Sequence, residues 1–442
     1  MSSALGAIGL FLGIAVLIFL GWKGVHTVVS AIAAALVVIV FNWMNFWDTF
    51  NNSFMSGAAG FVQQYFLLFI LGALFGEVMA RSGSSKKIAE VIFKALGEKF
   101  TILALVLVTM LLSYAGINIF VIVFVLYPLA KPMLKAANIS RNILPALMLF
   151  AGVTMMLPAP GSPTGTNLTP TTVLGTTAYA GTAMGLICMA VAFVIGYVFL
   201  TRSAKHLKAQ GIGYEEPPAA GGDTVTEAAD EADPHFFCAL LPIVTVIVVV
   251  FLTKGVLASF DSINTGLASG VAMTMLLNLK VFKTYAMPSM VKGITSSFSP
   301  LLTTAAIVGF GSVVQASAGF TTFLNLAVWL SEAFNPYISG ILSINIMSGI
   351  CGAAIPGIRI FSNTMLPTYL SMDINPEAMH RILVIAAGGL DTLPHCSTIA
   401  ILYGVMGGLN HKKCYKYIFV VSVALPLLMA FLAAGLAMIG IV

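Results

Sequence analysis

Apolar runs of bilayer length recur along most of this sequence and limit the folds open to it. A helix needs about 20 apolar residues to cross the hydrocarbon core of a membrane. Only 8% of the 442 residues are charged, whereas soluble domains carry about 25%. Backbone groups in lipid must be hydrogen-bonded internally, so such spans are helices. The sequence predicts an all-α polytopic membrane protein with ten spans, at roughly 4–21, 24–43, 60–80, 142–176, 179–201, 235–254, 262–279, 298–318, 378–408 and 415–440.

Two further apolar regions, about 100–134 and 337–372, are too long for a single span. Each is interrupted near its middle, by SYAGIN at Ser113–Asn118 and by CGAAIPG at Cys351–Gly357. Each half is only about 13–17 residues long, which is too short to cross a bilayer alone. We therefore predict two re-entrant hairpins that reach the midplane and return.

Two of the predicted spans contain residues that a continuous helix does not tolerate. The stretch LPAPGSPTGTNLTP, Leu157–Pro170, holds four prolines and two glycines, and GGLDTLPHCST, Gly388–Thr398, holds one proline. Proline removes a backbone donor and breaks the helix. At membrane depth an opened backbone is tolerated only inside the protein or beside a water-filled cavity. We interpret both breaks as parts of a binding site, although kinks with a packing role alone would give the same pattern.

The two breaks occupy equivalent positions in an internal repeat. Leu157-Pro158 matches Leu393-Pro394 at an offset of 236, and FGEVMARS from Phe75 matches FGSVVQAS from Phe310 at an offset of 235. The order of three spans, hairpin, broken span and span also repeats. Because each half has five spans, the second half must be inverted relative to the first. A polar linker, 202–234, divides the halves and is expected to be flexible and exposed.

Basic residues support this topology. If the N-terminus is outside, 18 of the 21 Lys and Arg residues fall in cytoplasmic segments, Lys254 and Arg381 fall outside, and Arg359 remains in the membrane region. The excess of cytoplasmic positive charge predicts that both termini are outside and the linker is inside. The first apolar run has no basic region before it and no cleavage pattern after it, so we interpret it as a retained span.

Three charged or titratable residues near the second hairpin and break are candidates for function. Arg359 follows the hairpin tip, and its planar guanidinium matches a carboxylate. Asp391 and His395 flank the second proline and are candidate proton carriers. The structural alternatives are an ion pair between Arg359 and Asp391, and a packing role for His395.

Neutral polar residues complete the predicted binding site. Hydroxyl, amide and backbone groups at the breaks and hairpins could donate hydrogen bonds to an anion, or could only join helices together. The candidate substrate-binding residues are Asn118, Ser162, Thr164, Gly165, Thr166, Arg359, Ser362, Asn363 and Thr364.

Other classes of protein are less compatible with the sequence. The five cysteines have no metal-like spacing, and we expect neither a disulfide, a metal nor another cofactor. A membrane enzyme would need a nucleophile–base set, which adjacent His395 and Cys396 do not form on a helix. The net charge of +5 reflects the cytoplasmic loops, so no nucleic-acid partner is expected.

The sequence resembles the gluconate permease (GntP) family of carboxylate:proton symporters. The likeness lies in LGALFGEVMARSGSSKKIAE, GINIFVIVFVLYPLAK, LPAPGSPTG, NPEAMHRILVIAAGGLDTLPH and GLNHKKCYK. Ala159 stands where the family's first break has a histidine, and IFVIVF, Ile119–Phe124, lacks an acidic residue that is common in the family's first hairpin.

The resemblance implies membership of the ion transporter superfamily, with a homodimer, a static scaffold, a moving transport unit and elevator-type alternating access. The expected division is a first repeat at 1–201 (scaffold 4–80, transport elements 100–201), the linker, and a second repeat at 235–442 (scaffold 235–318, transport elements 337–442).

The residues and the resemblance together predict a secondary active transporter in the inner (plasma) membrane. It would import a small hydroxycarboxylate, gluconate-like or a shorter acid such as 3-hydroxybutyrate or lactate, with protons. The single cation Arg359 favours a monocarboxylate. A sodium-coupled di- or tricarboxylate carrier and an anion channel are the alternatives.

Overall fold

A computed structural model describes residues 2–23, 25–114, 119–162, 164–217, 234–253, 256–257, 259–366, 369 and 374–442. These residues are predominantly helical, and no β-strand occurs among them. The all-α prediction is therefore confirmed. The helices are α1 (Ser2–Trp22), α2 (Thr27–Phe41), α3 (Phe46–Arg81), α4 (Ser84–Leu96), α5 (Thr101–Tyr114), α6 (Ile119–Ala136), α7 (Leu144–Gly152), α8 (Gly165–Leu168), α9 (Thr171–Leu174), α10 (Thr182–Ala209), α11 (Phe236–Thr253), α12 (Ser259–Leu277), α13 (Leu279–Ala316), α14 (Ala318–Ala333), α15 (Pro336–Cys351), α16 (Ala354–Thr364), α17 (Pro376–Ala387), α18 (Ser397–Met406) and α19 (His411–Met438).

Five of these helices are long and apolar enough to cross a membrane: α1, α3, α10, α13 and α19. They fall on five of the ten predicted spans. Other predicted spans correspond to shorter helices, such as the 15-residue α2. Length and composition thus support a polytopic membrane protein, while the count of ten spans stays a prediction.

The long helices α3 and α13 pack extensively against each other. They approach closely at Gly293, where an added Cβ would lie 2.8 Å from the Cα of Leu74. Glycine therefore permits this contact, as it often does between membrane helices. Lys292 Nζ also lies 3.2 Å from Glu77 Oε2, so an ion pair joins the same two helices.

The first two helices of each half pack against helices of the other half. Helices α1 and α2 pack against α14 and α13, whereas α11 and α12 pack against α4 and α3. The two sets of contacts correspond element by element in chain order. The two-fold relation between the halves stays a prediction.

Helix α14 was not predicted from the sequence. It lies at 318–333, in the same place in the chain order as the amphipathic helix α4 at 84–96. The α4 segment carries a regular pattern of lysines and apolar residues, whereas AGFTTFLNLAVWLSEA has few charges and no proline to mark its bounds. Only its position between two packed helices distinguishes it from an apolar connection.

The two long apolar regions form helix pairs, as the interruptions predicted. Helices α5 and α6 have 14 and 18 residues, and α15 and α16 have 16 and 11. Gly352 ends α15 with a left-handed backbone (φ 61°), which glycine adopts without strain. The tip of the first pair, 115–118, lies outside the described residues. That the pairs re-enter the membrane stays a prediction.

The first part of the linker is ordered, contrary to the expectation of a flexible segment throughout. Helix α10 continues to Ala209, and residues 210–217 lie against other elements. Arg141 Nε donates to the carbonyl of Glu215 at 2.7 Å, and Glu216 pairs with Lys131 and Lys135 at 3.1 and 2.8 Å. These charged partners lie far away in sequence, so composition alone did not reveal them. Residues 218–233 lie outside the described part.

We expect Glu216→Gln to release this docked segment. Burial raises the pKa of the Glu216 carboxyl, but the hydrogen bonds and charges of Lys135 and Lys131 outweigh it and lower the pKa from 4.5 to about 2. The depressed value means that the pairing stabilises the folded state above pH 4.5, and that this contribution is lost as the pH falls from 4.5 towards 2. Because both lysines are exposed, the effect is below about 1 kcal/mol.

Hydrogen exchange at the Tyr214 amide, which donates to Asn138 Oδ1, measures this release. Glu216→Gln should accelerate exchange at neutral pH by up to about fivefold. Glu215→Gln is the matched control, because its carboxylate is 3.9 Å from Lys413 and largely exposed. Equal exchange in both variants would show that the ion pairs do not hold the segment.

Candidate functional site

The two helix breaks meet inside the protein. An added Cβ on Gly388 would lie 2.1 Å from Leu157 Cδ1, so the start of one break packs against the start of the other. Both breaks are also joined to one π-helical segment of α19, Val420–Ala424. Thr154 donates to the carbonyl of Val421 at 2.9 Å, and Thr392 donates to that of Ser422 at 2.6 Å. Single π-helical turns of this kind occur frequently at functional sites.

Each break also contacts the first arm of the hairpin in its own half. Ser113 donates to the carbonyl of Gly152 at 2.6 Å, and Tyr114 donates to that of Pro160 at 2.9 Å. In the second half, His395 Nε2 lies 2.8 Å from the carbonyl oxygen of Gly349. Ser113 and Gly349 are 236 residues apart, which is the offset of the sequence repeat. Hairpins and breaks are therefore neighbours in both halves.

A row of hydroxyl groups lies along the first break. Ser162 Oγ donates to Thr164 Oγ1 at 3.2 Å, and Thr164 Oγ1 lies 3.0 Å from Thr166 Oγ1. Gly165, which begins α8, is exposed, and a Cβ built on it would lie 2.7 Å from Ile355 Cδ1 of α16. The four predicted residues of this break are therefore together, and they lie next to the second hairpin.

Asn167 and Arg381 fix the shape of the first break. Asn167 Nδ2 donates to the carbonyls of Ser162 and Ala178 at 2.8 and 2.9 Å. Its Oδ1 accepts from Arg381 Nη1 at 3.0 Å. Arg381 also donates to backbone carbonyls of the loop, Leu157 (3.1 Å), Ala159 (3.4 Å), Ala178 (3.2 Å) and Ala180 (3.0 and 2.8 Å).

Arg381 is enclosed within the protein, with its side chain 0% exposed. The distribution of basic residues places this residue on the outer side of the membrane, and that placement stays a prediction. The guanidinium has five N–H donors, and the broken helix offers enough free carbonyls to bind all of them. The neighbouring residue His380 makes two hydrogen bonds. Its Nδ1 lies 2.7 Å from Thr176 Oγ1, and its Nε2 lies 3.3 Å from Asn167 Oδ1. The sequence contained a sign of this role, because the polar pair His380-Arg381 stands within the apolar run of α17. The partners of Arg381, however, lie over 200 residues earlier in the chain.

The second break carries the two titratable candidates in a buried setting. Asp391 is 6% exposed and His395 is 3% exposed. A carbonyl oxygen can only accept a hydrogen bond, so His395 Nε2 donates to Gly349 and a neutral ring has its lone pair on Nδ1. His395 Nδ1 and Asp391 Oδ1 have no hydrogen-bond partner. A buried acceptor left without a partner costs about 1–3 kcal/mol, which a bound proton or ion could offset.

More unpartnered buried oxygens surround this break. These oxygens belong to residues of α15, α16 and α19. Helix α15 lies directly against the break, because a Cβ built on Gly389 would lie 2.2 Å from Asn345 Oδ1. The further side-chain atoms without a partner are Asn345 Oδ1, Ser348 Oγ, Ser362 Oγ and Ser422 Oγ.

A small cavity opens where the second break meets the second hairpin. Its volume is about 140 Å³, and its lining includes the hairpin tip at 351–353, His395, Ser397, and Ser312 and Gln315 of α13. Typical ligand pockets are larger, about 300–1,000 Å³. Of the predicted site residues, His395 alone lines this cavity, so the first break and Arg359 are not brought into it in this conformation.

The other predicted residues are placed as follows. Arg359 is exposed on α16, and no ion pair with Asp391 is described. Ser362 is buried with an unpartnered hydroxyl. Asn363 and Thr364 are helical, but their side chains lie outside the described part, and Asn118 lies wholly outside it. No group of three or more His, Cys, Asp or Glu able to hold a metal occurs within the described ranges.

These features define a helical membrane protein whose polar residues converge on paired helix breaks, an arrangement found in membrane transporters. The chain belongs to the GntP permease family: residues 5–276 match the family described as GntP family permease. It is 30% identical to the uncharacterized transporter YxjC of Bacillus subtilis, over 93% of this chain and 95% of that protein. It is 29% identical to an uncharacterized permease of Haemophilus influenzae, over 55% of this chain and 50% of that protein. The predicted resemblance is therefore confirmed, and the protein is a permease.

Proposed function

We propose that this permease is a secondary active transporter that imports a small hydroxycarboxylate together with protons. The observation that carries the proposal is the second break, where Asp391 and His395, four residues apart, are both buried and have acceptor atoms without a hydrogen-bond partner. A carboxylate and a neutral imidazole in this state can each take up a proton. The cavity at His395 gives that region a small opening.

We propose Arg359 as the group that attracts the substrate carboxylate. It is exposed and has no ion-pair partner within the described part of the chain. Arg381, in contrast, already donates to five neutral acceptors and has no donor left for a substrate. Arg359 lies on α16, which packs on α8 and so on the hydroxyl row of the first break. One available cation favours a monocarboxylate.

We propose two inverted repeats, 1–201 and 235–442, that work by an elevator motion in a homodimer. The corresponding packing of α1 and α2 in one half and α11 and α12 in the other supports two-fold related halves. The long pair α3 and α13 would belong to the static scaffold, and the hairpins and breaks to the moving unit. In the plasma membrane, both termini would lie outside and the linker inside.

Sodium is the second candidate for the coupling ion. Sodium prefers hard oxygen ligands, and several unpartnered oxygens surround the second break, including Asn345 Oδ1, Ser348 Oγ and Asp391 Oδ1. This set of atoms favours a cation of either kind.

Uptake into proteoliposomes distinguishes these possibilities. Purified protein is given a panel of labelled carboxylates under an inward pH gradient or an inward sodium gradient. Proton coupling predicts accumulation with the pH gradient alone, and sodium coupling predicts the reverse. Flux that never exceeds equilibrium under either gradient would contradict secondary active transport and would indicate a channel.

Arg359→Ala should reduce substrate uptake by about 10- to 150-fold, because a charge-assisted carboxylate contact contributes roughly 1.5–3 kcal/mol. Expression and thermal stability should be unchanged, since the side chain is exposed. Lys283→Ala removes another exposed cation and serves as the control. Full uptake by Arg359→Ala would exclude the role that we assign to it.

A further inference from the structure

A cleft of about 730 Å³ lies between the C-terminal part of α10 and the first part of α19. It is separate from the helix breaks, and no step of the proposed transport uses it. Its apolar wall includes Val194, Ile195 and Val198 of α10 and Val420 of α19. Val194 is 60% exposed, so this wall faces the surroundings of the protein rather than its core.

Basic residues line the other end of the same cleft. Arg202 and His206 continue along α10, and Lys416 stands one turn before Val420 on α19. From Val194 to His206 the helix rises about 18 Å, at 1.5 Å per residue. The cleft therefore changes along its length from exposed apolar side chains to a cluster of cationic ones.

Tyr417 forms part of the wall at the basic end of the cleft. It is 5% exposed, and its hydroxyl oxygen is buried away from the cleft. Lys416 Nζ lies over the Tyr417 ring at 4.9 Å from the centroid, which holds the ammonium group beside the cleft.

We propose that this cleft binds an anionic phospholipid. Its phosphate would accept hydrogen bonds from Arg202 and Lys416, and an acyl chain would lie along Val194, Ile195 and Val198. Basic pockets between membrane helices recognise acidic headgroups in this way. The combination of charge and exposed apolar surface fits a lipid better than a soluble anion, which would have no use for the apolar wall.

A second copy of this chain is the less favourable occupant. In a symmetric dimer the same patch is used by both copies, so the basic residues of both copies would be brought into one interface. No acidic side chain is among the residues that line the cleft. The charge therefore favours a partner that carries negative charge of its own.

Native mass spectrometry of the purified full chain tests the proposal. Phosphatidylglycerol and phosphatidylcholine with identical acyl chains are added in equal amounts, and the bound lipid is counted. The protein should retain phosphatidylglycerol preferentially, and Arg202→Gln with Lys416→Gln should reduce this retention about tenfold or more, since each basic residue contributes about 1 kcal/mol to such attraction. Lys280→Gln with Lys283→Gln removes the same charge elsewhere and should change nothing.

A second pair of variants separates the two ends of the site. Val198→Trp should fill the apolar part and weaken retention although all charges remain, and Arg202→Lys with Lys416→Arg should keep it. Four results would overturn the proposal: equal retention of phosphatidylcholine, unchanged retention in the double glutamine variant, equal loss in the control, or disulfide formation between two Val194→Cys copies in native membranes. Stabilisation by glycerol phosphate alone, equal to that by the lipid, would also overturn it.

Discussion

Replacing Arg381 by glutamine is expected to prevent accumulation of the folded protein. The guanidinium donates to the carbonyls of Leu157, Ala159, Ala178 and Ala180 and to the Asn167 side chain. Without it, several carbonyls of the broken helix are buried without a donor. Each such group costs about 1–3 kcal/mol, and the sum exceeds the few kcal/mol that a typical fold can lose. Thermal unfolding in detergent, monitored by size exclusion, measures the loss.

Arg381→Lys should recover only part of the stability, because an ammonium group has three donors and no planar fork. Lys205→Gln is the control for loss of a cation from an exposed position of α10, and it should unfold like the wild type. If Arg381→Gln unfolds at the wild-type temperature and loses only uptake, then Arg381 takes part in transport and does not stabilise the backbone of the first break.

Asp391→Asn is expected to abolish accumulation of substrate while the protein remains folded. The amide has the size of the carboxylate but cannot bind a coupling proton or hold a cation by charge. Asp391 is buried, and its Oδ1 has no hydrogen-bond partner, so neutralising it removes no described contact at that atom. Concentrative uptake should fall by at least about 100-fold, the lower range for loss of a positioned acid–base group.

Counterflow, in which external label exchanges with internal substrate without a gradient, identifies the step that is lost. Retained counterflow with lost accumulation would assign Asp391 to ion coupling. Loss of both would assign it to substrate binding. Asp261→Asn, at an exposed position in the first turn of α12, is the matched control. Wild-type accumulation by Asp391→Asn would exclude it as the coupling group.

The positions of the two helix breaks could be predicted from the sequence, but the residue that stabilises the first break could not. Prolines at Leu157–Pro170 and near Asp391 predicted where the helices open, because proline acts through its own ring and missing donor. The structure places α7 and α17 before these openings as expected. The partner of the first opening was missed, because Arg381 is 201 to 224 residues away from the carbonyls that it binds.

The linker and α14 illustrate the same limit. The composition of 202–234 predicted a polar connection, but Glu216 is held by Lys131 and Lys135 of α6. Such pairs depend on the spatial approach of distant segments, which no local pattern records. For α14, the apolar sequence alone did not distinguish a packed helix from a connection.

The sequence by itself determined the class of this protein. Helical spans and breaks follow from the length of apolar runs and from residues whose effect on the backbone is local, whereas the internal repeat stays a prediction. The tertiary structure decided which charged residues stabilise the fold by hydrogen bonds and which remain available to bind a substrate or an ion. Arg381 is enclosed by carbonyls of the first break, Arg359 is exposed, and Asp391 and His395 keep unpartnered atoms in the interior. These differences depend on burial and on hydrogen-bond partners from distant parts of the chain, which exist only once the halves have packed together.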